Sequence, residues 1–181
     1  HRDLHSFPTR RSSDLNDYDV IAGQASCAME LLDEVPDLQI VVAPVGGGGL
    51  ISGTALAVKY IAKNCLVIAA EPLQANDAFL SKQKGEIVAQ TNPQTIADGL
   101  RTSLGDKTFP IINELVNEIV LVSEDEIKQS LRLLMERMKV VVEPSAAVAF
   151  AAVLKNKSWR GKNIGIILSG GNIDLLGFDF I

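Results

Sequence analysis

The chain has 181 residues, of which 47% are hydrophobic and 22% are charged, and its formal net charge is −5. This length suits one domain with a sizeable core. The basic residues do not cluster and no apolar run approaches the ~20 residues of a membrane span, so we expect neither a nucleic-acid partner nor a membrane. Cys27 and Cys65 lie far apart in apolar stretches, which predicts reduced core thiols in a cytoplasmic protein.

The first residues, His1 to Leu15, differ from the rest of the chain. They contain both histidines, show no periodicity and include no initiator methionine. We interpret this segment as a non-native tail and take residues 16–181 as the domain. Because the domain then has no histidine, a histidine-based catalytic triad and a histidine-ligated zinc site are excluded.

From Asp19 onward, helical and strand patterns alternate along the chain. Apolar residues at helical spacing predict helices over 25–35, 50–62, 76–84, 109–116, 124–138 and 146–154. Ser123 and Glu126 predict a capping box at the start of the fifth helix. Short β-branched runs predict strands over 40–45, 66–70, 119–122 and 164–168, with a further extended run over 140–142. The polar stretch 90–107 is typical of a connecting loop.

Four apolar strands separated by helices predict an α/β fold, with a parallel twisted sheet and helices on both faces. In such sheets ligands bind beyond the carboxyl ends of the strands. Three strand ends stand out by composition, and we therefore expect the site to be built from residues 46–49, 71–77 and 169–172.

Four consecutive glycines, Gly46, Gly47, Gly48 and Gly49, separate the first strand from the second helix. Their backbone amides lie at the positive end of a helix dipole, which favours an anion such as phosphate. A tight connection without a ligand would use the same residues. The Lys-Ser/Thr of a P-loop is missing, and no register through 46–53 fits G-x-G-x-x-G. A dinucleotide site remains an alternative, because Glu71 ends the next strand where a ribose-binding acid would lie.

Polar groups at the other strand ends offer further chemistry. Ser169 follows an apolar strand, where a hydroxyl can hydrogen-bond a ligand or simply form a turn. Glu71, the carbonyl of Ala75 and Asp77 could converge on a hard cation such as Mg²⁺ or Ca²⁺, although paired loop acids are usually only solvated. For Lys139 and Glu143, composition alone favours surface charges.

Several short sequence words occur together in one order: GGGG at 46–49, AEP at 70–72, IADGL at 96–100, ERMK at 136–139, EPS at 143–145 and LSGGN at 168–172. This set resembles the serine racemase and serine/threonine dehydratase family of fold-type-II pyridoxal-phosphate enzymes. The resemblance covers residues 17–174. It implies the large, cofactor-binding domain of the tryptophan-synthase-β-like fold.

The resemblance also implies roles for single residues. Gly46 to Gly49 would hold the phosphate of pyridoxal 5'-phosphate, and Ser169 would pair with its pyridine nitrogen. Glu71, Ala75 and Asp77 would form a Mg²⁺ or Ca²⁺ site. Two further positions, Lys139 and Asn172, resemble the neighbourhood of a nucleotide effector site.

One family word, Ser-x-Lys-x-Arg-Gly, is absent from this chain. It carries the lysine that forms the Schiff base with the cofactor, so we nominate no catalytic residue here. We expect the chain to be a truncated large domain without its N-terminal strands and small domain. Alone, it should be poorly stable and inactive.

For the intact protein, the resemblance implies a homodimeric enzyme that removes the α-proton of L-serine, L-threonine or 3-hydroxyaspartate. The outcome would be dehydration and deamination to a keto acid and ammonia, racemisation to the D-amino acid, or both. A dinucleotide-dependent oxidoreductase domain and a non-catalytic effector-binding domain are the alternatives.

Overall fold

A computed structural model of the chain describes residues 16–174 and shows one parallel four-stranded sheet. The predicted tail, 1–15, lies outside the described residues. The strands are β1 (Ile40–Pro44), β2 (Leu66–Pro72), β3 (Glu118–Val122) and β4 (Ile164–Ile166). Their order across the sheet is β3-β2-β1-β4, and Val42 of β1 aligns with Ile68 of β2 and with Ile166 of β4. All four carboxyl ends therefore meet at one edge of the sheet.

Between residues 16 and 174, six α-helices surround the sheet: α1 (Tyr18–Glu34), α2 (Gly49–Ile61), α3 (Asp77–Lys84), α4 (Thr108–Leu115), α5 (Glu124–Leu133) and α6 (Pro144–Lys155). Helices α2 to α6 begin within two residues of their predicted starts, whereas α1 begins at Tyr18, seven residues before the predicted start at 25. The capping box of α5 is confirmed, since the Ser123 hydroxyl accepts the Glu126 amide and the Glu126 carboxylate accepts the Ser123 amide.

The core consists of two layers, one on each face of the sheet. Alternate residues of β1 point to opposite faces, so Val41 packs in one cluster with α1, α2 and α4, and Val42 packs in the other with α5 and α6. Every residue of β1 is buried. The predicted α/β fold with helices on both faces is therefore confirmed.

Some predicted boundaries are wrong. The extended run 140–142 forms no strand; instead α5 passes into a π-helical turn, Leu134–Met138, which ends at Lys139 with a left-handed φ of 60°. The polar stretch 90–107 contains a 3₁₀ turn, Asp98–Leu100. Cys27 is exposed rather than in the core, whereas Cys65 is buried, and both thiols are unpaired. In the part of the chain that the structure describes, no helix combines the length and apolarity needed to cross a bilayer.

Candidate functional site

A cleft of about 310 Å³ opens at the carboxyl edge of the sheet, where β1 and β4 end. It brings the glycine run together with Ser169, although more than a hundred residues separate them in the sequence. The lining residues are Gln24, Pro44, Gly46, Gly47, Gly48, Gly49, Leu50, Gly99, Leu100, Glu143, Ser145, Ser169 and Gly170. The described lining includes no lysine, and the absence of a Schiff-base residue from this chain stays a prediction.

The glycine run is held in place by α4. Gly48 has a φ of 91°, and a Cβ built on it would lie 2.8 Å from the Cβ of Thr108 and from the Cδ1 of Ile112. The Thr108 hydroxyl donates to the Gly47 carbonyl at 2.9 Å. Both the left-handed conformation and the close approach therefore require glycine at position 48.

The backbone amides of this run form a candidate anion site. Within the described residues, no acceptor is hydrogen-bonded to the amides of residues 46–49, which lead directly into the first turn of α2. The cap position, Gly48, contributes no side-chain cap either. Free amides at a helix N-terminus suit a phosphate group, so these residues fit the phosphate of a bound cofactor.

Ser169 also lines the cleft and lies half-buried beside Gly170. Gly170 has a φ of 92°, and a Cβ there would lie 2.5 Å from the carboxyl carbon of Glu143. The Ser169 hydroxyl makes no hydrogen bond within the described part of the chain, so it remains available to a ligand.

Glu143 lines this cleft and is not a surface charge, which corrects the preference from composition. Its amide donates to the Gly170 carbonyl at 3.2 Å, and its Oε2 accepts the Asn172 amide at 3.2 Å. The bonds arise because Glu143 caps α6 directly opposite the chain that leaves β4. The EPS word alone did not distinguish this position from an ordinary helix start.

Ser145 and Gly99 also belong to the cleft and were not singled out from the sequence. The Ser145 hydroxyl is buried and accepts the Gly99 amide at 3.1 Å. A Cβ on Gly99 would lie 2.9 Å from that hydroxyl oxygen, so the glycine permits the close approach of the loop to α6. The only sequence signal for these two residues was their presence in the words IADGL and EPS, both of which contain residues that line the cleft.

The acid pair at the end of β2 is deeply buried. Glu71 is 1% exposed, and its two carboxylate oxygens accept the amides of Ala78 at 2.8 Å and Phe79 at 2.9 Å, at the start of α3. Asp77 is 2% exposed and accepts the Leu104 amide at 3.2 Å. Neither acid is among the residues that line the cleft at the glycine run, which removes the main support for a dinucleotide site.

Burial dominates the electrostatics of this pair. It raises the pKa of Glu71 to about 8, against the opposing effect of the two amide hydrogen bonds and with a further increase from nearby Asp77. Burial likewise raises the pKa of Asp77 to about 7. Neither carboxylate forms a salt bridge with a lysine or arginine within the described residues. The pair thus lacks a counter-charge.

Lys139 follows the end of α5 and Asn172 follows β4, and no hydrogen bond joins the two residues within the described part of the chain. The Lys139 ammonium donates to the Glu136 carbonyl at 2.8 Å and is exposed. Asn172 is exposed and reaches the cleft only through its backbone bond to Glu143. A role for these two residues in effector binding stays a prediction.

Comparison with known proteins places this arrangement in a family. Serine racemase from Dictyostelium discoideum is 50% identical over 161 residues, which cover 86% of this chain and 50% of that protein. A β-hydroxyaspartate dehydratase from Paracoccus denitrificans is 47% identical, covering 88% of this chain and 51% of that protein. The solved structure of maize serine racemase has a TM-score of 0.83 at 42% identity, covering 87% of this chain and 50% of that one.

The chain spans about half the length of these curated relatives. Its residues 9–170 match the family described as pyridoxal-phosphate dependent enzyme. That range includes the glycine run, the acid pair and Ser169. The chain therefore belongs to the pyridoxal-phosphate-dependent enzyme family.

Proposed function

We propose that the protein acts on L-serine, L-threonine or 3-hydroxyaspartate by removing the α-proton. The products would be a keto acid and ammonia, the D-amino acid, or both. One observation carries the proposal: free amides at residues 46–49 and the free hydroxyl of Ser169 face one cleft in a chain similar to serine racemases and a hydroxyaspartate dehydratase. Bound pyridoxal phosphate would supply the electron sink that makes the α-proton acidic.

Each end of the cleft would make its own contribution. The amides of residues 46–49 would bind the phosphate and fix the position of the cofactor. Ser169 would hydrogen-bond the pyridine nitrogen without bringing a charge, so it would leave that nitrogen less basic than a carboxylate partner would. Glu143 would restrict the volume beside Ser169, because its carboxylate packs on Gly170.

We also propose that Glu71, the carbonyl of Ala75 and Asp77 hold Mg²⁺ or Ca²⁺. Two buried carboxylates without a counter-charge support this assignment, since a divalent cation would compensate both. Within the described residues, no three His, Cys, Asp or Glu side chains lie close enough to hold a metal together. Backbone carbonyl and water ligands would therefore have to complete the coordination.

For the intact protein, we propose a cytoplasmic homodimer whose Schiff-base lysine and small domain lie outside this chain. The unpaired thiols of Cys27 and Cys65 fit a reducing compartment. Residues 16–181 would form the cofactor-binding large domain.

The test is spectroscopic and uses the protein expressed from its complete reading frame. The purified protein should show the absorbance band of bound pyridoxal phosphate near the edge of the visible range. Addition of L-serine should shift this band while pyruvate accumulates. Gly48→Ala should lower cofactor occupancy. A protein that shows no band, and gains none when pyridoxal phosphate is added, would contradict the proposal.

A further inference from the structure

Glu143 lies where two segments of the cleft wall meet. It directly precedes Pro144, the first residue of α6, and its carbonyl accepts the amides of Ala146 at 3.1 Å and Ala147 at 3.3 Å. The first turns of α6 are buried in the core of the domain. Glu143 is therefore attached to a rigid element, which suits a residue that holds a mobile neighbour in place.

The Glu143 carboxylate is not used to cap its own helix. A polar side chain at the N-cap usually accepts an amide from the first turn of the helix, but Glu143 makes no such bond. Its Oε2 instead accepts the Asn172 amide at 3.2 Å. Within the described residues, no lysine or arginine pairs with this carboxylate. The side chain is thus committed to the segment that follows β4.

The segment that carries Ser169 depends on this contact. Residues 167–174 form neither helix nor strand. In the part of the chain that the structure describes, residues 168–172 make two hydrogen bonds, and both are with Glu143: one through its amide to the Gly170 carbonyl, the other through its carboxylate to the Asn172 amide. A Cβ on Gly170 would lie 2.7 Å from each carboxylate oxygen. The carboxylate therefore packs on the backbone of the residue that follows Ser169.

The same end of α6 also holds a second segment of the cleft wall. The Ser145 hydroxyl accepts the Gly99 amide at 3.1 Å, and a Cβ on Gly99 would lie 3.5 Å from Oε1 of Glu143. Glu143 and Ser145 are two residues apart at the start of one helix. Together they fix the position of the Ser169 segment relative to the 3₁₀ turn.

We infer that Glu143 is a positioning residue for the cofactor: its carboxylate holds residues 170–172 and thereby places the Ser169 hydroxyl where it bonds the pyridine nitrogen. The inference rests on the contact between Ser169 and the cofactor that the proposed function includes. Because this hydroxyl makes no bond of its own within the described residues, the backbone beside it sets its position. A hydrogen bond weakens steeply when its donor is displaced, so losing the support should resemble losing the hydroxyl.

The first experiment measures the binding of 4'-deoxypyridoxine 5'-phosphate to the complete protein after removal of its cofactor. This analogue keeps the phosphate and the pyridine nitrogen but has no aldehyde, so its affinity does not depend on a Schiff base. Ser169→Ala should weaken binding about fivefold, as the loss of one hydrogen bond of about 1 kcal/mol gives, and Glu143→Ala should do the same. Glu136→Ala is the control and should change nothing, because this carboxylate bonds Arg132 at 2.6 Å and does not line the cleft.

Two conservative variants separate the reach of the side chain from its charge. Glu143→Gln keeps the length and an oxygen that can accept the Asn172 amide, so binding should stay within about twofold of the wild type. Glu143→Asp keeps the charge but is one methylene shorter, so it should resemble Glu143→Ala. The reverse order, with weak binding in the glutamine variant and wild-type binding in the aspartate variant, would show that the charge acts on the cofactor and would overturn the inference.

A double-mutant cycle tests whether Glu143 acts through Ser169. In a Ser169→Ala background, Glu143→Ala should weaken binding by less than about twofold, because the hydroxyl that it positions is gone. An equal loss in both backgrounds would mean that the substitution damages the cleft in general, which contradicts a positioning role. The absorbance of the bound analogue gives a second readout: both single variants should shift the pH at which its pyridine nitrogen titrates in the same direction, since both remove one hydrogen bond.

The outcomes distinguish the inference from the proposed function. Turnover of L-serine by a protein whose cycle is additive would overturn the inference and leave the proposed function standing. A coupled cycle in a protein that turns over no amino acid would overturn the proposed function and keep the role of Glu143. Failure of the wild type to bind the analogue would overturn the inference together with the cofactor assignment.

Discussion

Single residues at the carboxyl edge of the sheet shape the candidate site. Gly48 combines a φ of 91° with contacts that leave no space for a side chain. Ser169 and the free amides of 46–49 present uncharged donors, whereas the acid pair, Glu71 and Asp77, places two carboxyl groups in the protein interior. The contribution of the glycine run can be measured as cofactor affinity, and that of the acid pair as the pH dependence of stability.

For Gly48→Ala, we expect a loss of stability and of cofactor affinity. The left-handed conformation costs an alanine about 1–2 kcal/mol, and the clash with Thr108 adds to this cost. Gly85→Ala is the control, because Gly85 has a φ of 74° but nothing within 4 Å of its added Cβ. Urea unfolding and pyridoxal-phosphate titration should show that both variants lose stability and that only Gly48→Ala loses affinity. Equal cofactor affinity in the two variants would contradict the assigned role of the glycine run.

The acid pair predicts how stability depends on pH. The pKa of Glu71 rises from 4.5 to about 8 on folding, so the folded state favours the protonated carboxyl. The higher pKa in the folded state stabilises the fold. This stabilisation is fully present below pH 4.5 and is lost as the pH rises through about 8. Asp77 acts in the same direction, with a folded pKa of about 7.

We therefore expect the complete protein, freed of divalent cations by a chelator, to unfold at lower urea concentration at about pH 8 than at about pH 5. Glu71→Gln should reduce this difference, and saturating Mg²⁺ should reduce it in the wild type by neutralising both carboxylates. If Glu71→Gln kept the full pH difference, the titration would belong to other groups.

Among the secondary structure elements, the end of α5 departs most from regular geometry. The helix passes into a π-helical turn, and Lys139 closes it with a φ of 60° and a ψ of 32°. Such turns are frequent at functional sites, and this one leads into Glu143 in the cleft. The left-handed residue is not a glycine, so part of the folding energy is spent on its conformation.

Replacing this residue should stabilise the protein. Lys139→Gly removes the steric cost of the left-handed conformation, and we expect a gain of up to about 1 kcal/mol in the free energy of unfolding. Lys139→Ala is the matched control, since it loses the same bond to Glu136 but keeps a Cβ. Urea unfolding measures the free energy of unfolding of both variants. A gain in the alanine variant as large as in the glycine variant would show that charge, and not backbone conformation, is responsible.

At the scale of the whole molecule, the sheet separates two hydrophobic clusters. Ile51 of α2 is fully buried in one cluster, and Ile127 of α5 is fully buried in the other. The two side chains therefore share no packing partners, although both layers cover the same strands.

Ile51→Val and Ile127→Val should each lower the free energy of unfolding by about 0.5–1.5 kcal/mol. The double variant should equal the sum of the two within about 0.5 kcal/mol, because the layers pack independently. The measurement is urea unfolding of the single and double variants, monitored by circular dichroism. A double variant well outside this sum would mean that the sheet transmits strain between its faces.

Sequence alone determined the order and type of the main elements, and it indicated two segments, 46–49 and 169–172, that contribute to one cleft in the structure. Alternation between strand and helix periods reports local backbone geometry, and this was enough to predict the two-sided parallel sheet. The glycine run and Ser169 could be placed near each other from the sequence, because strand ends of a parallel sheet must meet at one edge, whereas Glu71 does not line their cleft. The left-handed turn at Lys139 was missed, since ERMK carries no glycine or proline to mark it.

Only the tertiary structure decided which distant residues complete the site. Thr108 bonds Gly47 from 61 positions away, and Glu143 reaches the cleft because α6 begins beside the end of β4. The bond between Glu143 and the Asn172 amide, and the burial that raises the pKa of Glu71, also depend on packing between separate segments. Local spacing does not encode these contacts, because they arise where loops of unrelated sequence fold against one another.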